Sequence, residues 1–337
     1  MLNLVLLAIS IAFIIVASTR AKLHPFLTLL VAAIFMGFCG GLNGEELLTA
    51  ITEGFGQTLK SVGIIIACGT IIGTFLERTG DANSLATSII KSIGERKSPL
   101  AMSITGFIIS IPVFCDSGFV ILSSINKALS KKTGISLSVL AIALASGLYT
   151  THVFVPPTPG PIAAAGTIGA DIGIVLLLGL IVSVPTAAAG LLWALRYASK
   201  FTIVPETGPD SDTSVESPTG NARAAAVPLI VPLVLIALKS IADYPTAPLG
   251  DGLMQDVIRF LGNPVIALLL GVFIVLGLSR DHLGDSAFSW VGEGLKNSGT
   301  IVLITGAGGA FGFVLRQTGM GDGMAETLSL SNFGMLM

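Results

Sequence analysis

Long apolar runs recur along this chain, and almost nothing charged interrupts them. Leu2–Ser18, Pro25–Phe38, Val62–Leu76, Leu137–Val155, Ile172–Leu195, Val227–Leu238, Pro264–Leu278 and Thr300–Leu315 each read as a membrane-crossing segment. Several are shorter than the ~20 residues a straight span needs. Their flanks are Gly, Ser and Thr, which bundled helices tolerate. Charged residues make up 11% of the 337, too few to cover the surface of a water-soluble fold. The expected fold class is therefore an all-α polytopic membrane protein. A net charge of −2 without charge runs argues against a nucleic-acid partner. Cys39, Cys68 and Cys115 lie in apolar stretches, with no disulfide framework and no zinc spacing. The first run lacks a basic leader and a small-residue cleavage site, so it reads as a retained span.

Basic residues set the expected orientation. They follow the first span (Arg20, Lys22), the third (Arg78, Lys91, Arg96, Lys97) and the next segment (Lys127, Lys131, Lys132), and recur at Arg196, Lys200 and Arg223. The intervening loops, Gly40–Gln57 and Pro156–Asp171, carry no Lys or Arg, and the first is acidic, with Glu45, Glu46 and Glu53. This alternation puts the basic segments in the cytoplasm and the N-terminus outside. It requires Ser98–Ser130 to enter and leave on one side. Those 33 residues are too few for two crossings, which need about 40. Two apolar arms, Leu100–Val113 and Phe119–Ile125, flank Asp116, Ser117 and Gly118, and Pro112 breaks the first arm. A re-entrant hairpin over 98–130 follows. Phe201–Ala226, rich in Pro, Ser, Thr and acids, reads as a flexible cytoplasmic linker over 201–226.

The two parts of the chain resemble each other at a fixed shift. Pro25 aligns with Pro264, and Ile65, Gly69, Gly73, Leu76, Thr79 and Gly80 align with Ile304, Gly308, Gly312, Leu315, Thr318 and Gly319. An odd number of crossings separates the copies, so the repeats are expected to be inverted, a recurrent plan of secondary transporters. Residues 1–200 form the first repeat, and 227–337 begin the second. Its counterpart of 99–200 would lie beyond Met337, so the second repeat is expected to be incomplete and the chain truncated.

Two motifs carry candidate chemistry. In Ile111-Pro-Val-Phe-Cys-Asp-Ser-Gly-Phe119, a charge on Asp116 at membrane depth costs ~2.5–3.5 kcal/mol, which makes it a functional candidate for proton coupling. The alternative is a hairpin-tip cap, with the carboxylate accepting amide N–H bonds. In Tyr149-Thr-Thr-His-Val-Phe-Val-Pro-Pro-Thr-Pro-Gly-Pro161, four prolines break the helix over 150–170 and free carbonyls for a cation or polar substrate. Thr150, Thr151 and Thr158 offer hydroxyls there. His152 is a candidate for carrying a proton or binding a substrate hydroxyl, and equally for a structural role. Pro161–Ala170 begins a half-helix whose N-terminus suits an anion. Gly306-Ala-Gly-Gly-Ala-Phe-Gly312 is no nucleotide loop; close packing through Gly308 and Gly312, mirrored by Gly69 and Gly73, is expected instead. Glu77 and Arg78 read as an interfacial pair, and Asp171 as an exposed helix-start residue.

Pro112-Val-Phe-Cys-Asp-Ser-Gly-Phe119 and Thr151-His-Val-Phe-Val-Pro-Pro-Thr-Pro-Gly-Pro161 resemble the gluconate:proton symporter (gluconate permease) family, over the whole chain. The resemblance implies uptake of gluconate or a related sugar acid with protons. It also implies an architecture similar to the ion-transporter superfamily, with inverted repeats, re-entrant hairpins and a homodimer in the cytoplasmic (inner) membrane. It assigns the hairpin role to Asp116, Ser117 and Gly118, and the broken-helix role to Thr150–Gly160, including Gly160 itself. A second Asp-Ser-Gly-Phe-like motif of the family does not occur here. No cofactor or metal is implied. The competing readings are a sodium-coupled or channel-like carrier of another small organic solute, and an intramembrane enzyme. The latter would need paired catalytic groups beyond Asp116 and His152, and no enzyme is expected.

Overall fold

A computed structural model describes residues 2–111, 113–205, 220–243, 252–279 and 285–319. Pro112, the proposed breaker of the hairpin's first arm, lies outside them. The described residues form α1 (Leu2–Thr19), α2 (Pro25–Cys39), α3 (Gly44–Arg78), α4 (Asp81–Ile93), α5 (Ser98–Ile109), α6 (Cys115–Thr133), α7 (Leu137–Phe154), α8 (Pro159–Ile168), α9 (Ile172–Arg196), α10 (Ala222–Ala242), α11 (Leu253–Leu261), α12 (Pro264–Leu278) and α13 (Asp285–Gln317). Among them, five helices are long and apolar enough to cross a bilayer. There are six if the pair α11–α12, bent by 70°, counts as one. The described residues are thus all helical, and the chain is a polytopic membrane protein.

Two helices extend well past their apolar runs. The acidic stretch expected as a loop over Gly40–Gln57 is mostly the start of α3. Asn43 is the reason. Its Oδ1 accepts from the amides of Glu45 and Glu46 at 3.0 Å, while Glu46 Oε2 accepts from the Asn43 amide at 2.9 Å. This reciprocal box starts a helix inside polar sequence. At 35 residues, α3 is about 52 Å long, so its polar first turns extend beyond the ~30 Å hydrocarbon core. The helix α13 likewise begins at Asp285, ahead of the run at Thr300. Helices α2 and α12 are both 15 residues and start on Pro25 and Pro264. The shift that superposes those prolines also superposes the ends of α3 and α13, Arg78 and Gln317.

Contacts divide the chain into two compact units, Met1–Ile64 with Gly299–Met337, and Ile65–Ser298. This division cuts across sequence order and is a different partition from the expected repeats. In the first unit, Ala33, Met36, Leu47, Ala50 and Val314 form a core. The helix contact expected through Gly308 and Gly312 runs instead through Gly306 and Gly309. A Cβ at Gly306 would meet Phe55 and Leu59 at 2.6 Å, and one at Gly309 would strike Thr58. Gly308 and Gly312 face open space. The run contains glycines on more than one helix face, and spacing alone does not choose between them.

The second unit holds the hairpin. Its core joins α4, α5, α6 and α7 through Ala86, Met102, Leu122, Leu140, Leu144 and Leu148. Arms do form on either side of a break, with α5 ending at Ile109 and α6 starting at Cys115. Asp116, Ser117 and Gly118 are not between the arms, however. Phe114, in extended conformation, is the N-cap, and the Gly118 amide donates to Phe114 O at 2.8 Å. The tip is therefore Ser110–Phe114, and the Asp-Ser-Gly triplet is the first turn of α6. With 12 residues, α5 is about 18 Å long and too short to cross the core.

Residues 201–205 and 220–221, at the two ends of the expected linker, are tied down. The Ile203 amide donates to Ser136 Oγ at 2.9 Å, and the Asn221 amide to Asp81 Oδ1 at 2.7 Å. Helix α10 already starts at Ala222, so the linker ends earlier than expected. Residues 206–219 lie outside the described residues.

Candidate functional site

Glycines bring the hairpin onto α7. A Cβ at Gly106 would meet Leu144 O at 2.5 Å and Leu148 N at 2.9 Å. One at Gly147 would strike Ser103 O and come within 2.8 Å of Phe107 N. The backbones of α5 and α7 therefore touch, which only small residues permit. Gly118 brings the start of α6 close to α7 through a side chain instead, where a Cβ would lie 2.9 Å from Leu148 Cδ2.

This packing sets the hairpin tip beside the end of α7. The Tyr149 hydroxyl donates to Asp116 Oδ1 at 3.5 Å, and the Cys115 thiol approaches the same oxygen at 3.7 Å. Phe114 meets the His152 ring edge-on, with centroids 5.9 Å apart. Tyr149 and His152 are three residues apart and share one face of α7. His152 Nδ1 is buried without a protein partner. Asp116 is exposed, and among the described residues no Lys or Arg is paired with it. The cap reading does not fit this geometry, because α6 has Phe114 at its N-cap and no side chain bonding its free amides.

The broken helix has a shorter break than expected. Helix α7 continues through Thr150, Thr151 and His152 to Phe154, and α8 starts at Pro159, leaving Val155–Thr158 between them. Pro159 and Pro161 sit in the first turn of α8, where a missing N–H costs nothing; only Pro156 and Pro157 interrupt the chain. Thr150 and Thr151 are buried, and their hydroxyls donate to Ser146 O at 2.6 Å and Gly147 O at 3.2 Å. The Thr158 hydroxyl donates to Val155 O at 2.7 Å. Gly160 is exposed on α8, with open space where a side chain would be. Thr158, Pro157 and Pro159 meet Val113 and Phe114 of the tip across Gly69 and Thr70 of α3, around a crevice of about 10 Å³, room for no more than one water.

The structure thus groups Asp116, Ser117 and His152 with Phe114, Cys115 and Tyr149. Sequence reasoning did not single out the last three. The three-residue spacing of Tyr149 and His152 was the available signal.

Outside this cluster, Arg78 pairs with Glu293 rather than Glu77, with Nη2–Oε1 at 2.6 Å and Nε–Oε2 at 3.0 Å. Glu77 and Arg78 are chain neighbours and point apart on a helix. Asp171 is the N-cap of α9, accepting from the Ile174 amide at 2.9 Å. It is half-buried rather than exposed, because Ser240 of α10 also donates to it at 2.5 Å.

Described residues that are all helical, with several bilayer-length helices and an interrupted helix beside a helical hairpin, define a polytopic membrane protein. The description "GntP family permease" matches residues 2–337, and the chain belongs to that family. It is similar to an uncharacterized permease of Haemophilus influenzae, 37% identical over 96% of this chain and 69% of that protein. It is also similar to a gluconate permease of Pseudomonas aeruginosa, at 34% over 93% and 71%. The D-serine transporter DsdX of Escherichia coli matches at 31% over 96% and 73%. The family match runs to residue 337 and lends no support to the expected truncation. The chain is a permease rather than an enzyme, and a multi-pass protein of the cytoplasmic membrane.

Proposed function

We propose that this permease imports gluconate or a related small hydroxy carboxylate together with protons, and that Asp116 couples the two. The observation that carries the reading is an Asp116 carboxylate in the first turn of α6, held only by Tyr149 and Cys115 and paired with no cation among the described residues. A helix N-terminus attracts negative charge through its free amides and its dipole. An ionised Asp116 and a substrate carboxylate compete for that end. Protonation of Asp116 removes the competitor, so proton and anion load together. His152 Nδ1, buried without a protein partner, is free to bond a substrate hydroxyl once the tip and the broken helix part. Ser117 and Gly118 complete the turn, while Thr150, Thr151 and Thr158 hold the broken helix in shape. Gly160 keeps the start of α8 open to the substrate.

The crevice between tip and broken helix is far too small for a sugar acid, so loading requires these two elements to part. The matched limits of α2–α3 and α12–α13 support a repeat; that the copies are inverted rests on the odd number of crossings between them. The full transporter is taken to be a homodimer with its basic segments in the cytoplasm. The names of the gluconate permease and of the L-idonate transporter among the relatives support a sugar-acid substrate.

Uptake of labelled gluconate into proteoliposomes tests the reading. An inward proton gradient without sodium is expected to drive accumulation, and Asp116→Asn to abolish it. Accumulation that needs sodium and ignores the pH gradient would overturn proton coupling.

A further inference from the structure

We propose that the groove between α5 and α9 holds an anionic phospholipid, with its phosphate at Arg96 and Lys97 and an acyl chain running past Leu100. The inference does not rest on the transport reading. Two cavities meet at Leu100. One, of about 540 Å³, has Arg96, Lys97, Ser199 and Thr202 in its wall, with Leu100 and Leu195 at its floor. The other, of about 330 Å³, is almost wholly apolar and lies between Leu100, Ile104 and Phe107 of α5 and Val184, Ala188 and Leu191 of α9. Residues 100, 104 and 107, like 184, 188, 191 and 195, are spaced to line one face of a helix. The strip from Leu195 to Val184 is about 16 Å long, half of the ~30 Å hydrocarbon core and so one leaflet deep.

The polar end of this strip lies at the level of the membrane surface. Trp193 stacks on Tyr197 with centroids 5.9 Å apart, and Lys200 Nζ sits 4.9 Å over the Tyr197 ring. Both rings are exposed, and such aromatics mark the headgroup boundary. Arg96 and Lys97 are exposed and have no ion-pair partner among the described residues, and the neighbouring Glu95 is engaged by Lys132 at 2.6 Å. Two unpaired cations at the boundary, above an apolar slot of leaflet depth, match the charge and shape of an anionic glycerophospholipid. The lipid would lie against α5, the root of the hairpin, next to its glycine contact with α7, since Ser103 and Phe107 border both.

Native mass spectrometry of the protein purified in detergent, titrated with phosphatidylglycerol or phosphatidylcholine, tests this. Phosphatidylglycerol should be retained preferentially, and each of Arg96→Gln and Lys97→Gln should cut that preference by about a factor of five. Lys91→Gln, a cation outside the pocket, should leave it unchanged. Ala188→Trp, at an exposed position, should reduce retention of both lipids. An unchanged thermal midpoint in lipid-free detergent shows that the variants fold. The proposal fails if the two lipids are retained equally, or if the double variant keeps the preference. Displacement of phosphatidylglycerol by millimolar inorganic phosphate would show that the site reads phosphate alone. Conversion of a dimer to monomers by Ala188→Trp, with lipid retention intact, would make the groove an interface between copies.

Discussion

At the scale of single residues, Asp116 and Thr151 make opposite cases. Asp116 is exposed, caps nothing and faces a tyrosine hydroxyl and a histidine-bearing helix face. Asp116→Asn keeps the shape and removes the ionisation. Gradient-driven gluconate uptake should fall at least tenfold while the protein inserts and purifies normally; accumulation at the unaltered level would reduce Asp116 to a structural residue. Thr151 is fully buried, and its hydroxyl donates to carbonyls of its own helix. Thr151→Val keeps the volume and loses a bond of about 0.5–1.5 kcal/mol. Its effect should appear as a small drop in thermal midpoint, with gluconate affinity within about twofold of the parent. A large loss of affinity at constant stability would place this hydroxyl in contact with substrate.

Elements are positioned here by what is missing from their surfaces. Helices α5 and α7 meet backbone to backbone at Gly106 and Gly147, and a Cβ at either position collides with main chain that cannot move aside. Gly147→Leu should cost roughly 1–3 kcal/mol or more by overpacking, read as a lowered thermal midpoint in detergent. Gly63 of α3 is the control. Nothing lies within 4 Å of its Cβ position, so Gly63→Ala should stabilise by about 0.5–1 kcal/mol through helix propensity. Similar effects at the two positions would mean that the α5–α7 crossing is looser than described. The start of α3 depends on a different device. Asn43→Ala removes the side-chain acceptor of the capping box, which serves the Glu45 and Glu46 amides, and keeps the backbone N–H that donates to Glu46; it should fray the first turns at about 1 kcal/mol, seen as faster amide exchange over residues 44–48.

Within the second unit, charge ties distant segments of the chain together. Asp243 accepts from Lys239 at 2.6 Å and from Arg259 at 2.8 Å, joining α10 to α11. The Lys239 hydrogen bond, then Arg259, hold its carboxyl below the usual range. Asp171 also approaches Lys239, at 3.7 Å. Its own carboxyl is lowered too: burial would raise it, but the bonds from Ser240 and the Ile174 amide together with Lys239 outweigh that. A carboxyl held low contributes its pairing fully above the ordinary carboxylate range and loses it as pH falls through the lowered value. Protection of α11 amides, corrected for intrinsic exchange, should therefore drop in acid and stay flat from neutral pH upward. Asp243→Asn should give low protection at every pH. A pH-independent corner in the unaltered protein would remove the carboxylate from that role.

The sequence by itself determined the class of fold. A bilayer imposes apolar runs of fixed length, and those runs are visible without any contact being known. It also located both motifs of the candidate site, because proline and a lone carboxylate in apolar sequence are local signals. Helix limits in polar stretches, as at Asn43, were written in a capping box that a hydropathy reading passes over. The tertiary structure decided which residues of the motifs face each other. Whether Asp116 meets Tyr149, whether Thr151 turns inward, and whether Gly306 rather than Gly308 bears a neighbour depend on helix rotation. In an all-apolar helix the rotation is set by partners rather than by an amphipathic stripe. Arg78 shows the same limit: its carboxylate partner lies 215 positions away in the chain, and only folding brings the two within hydrogen-bonding distance.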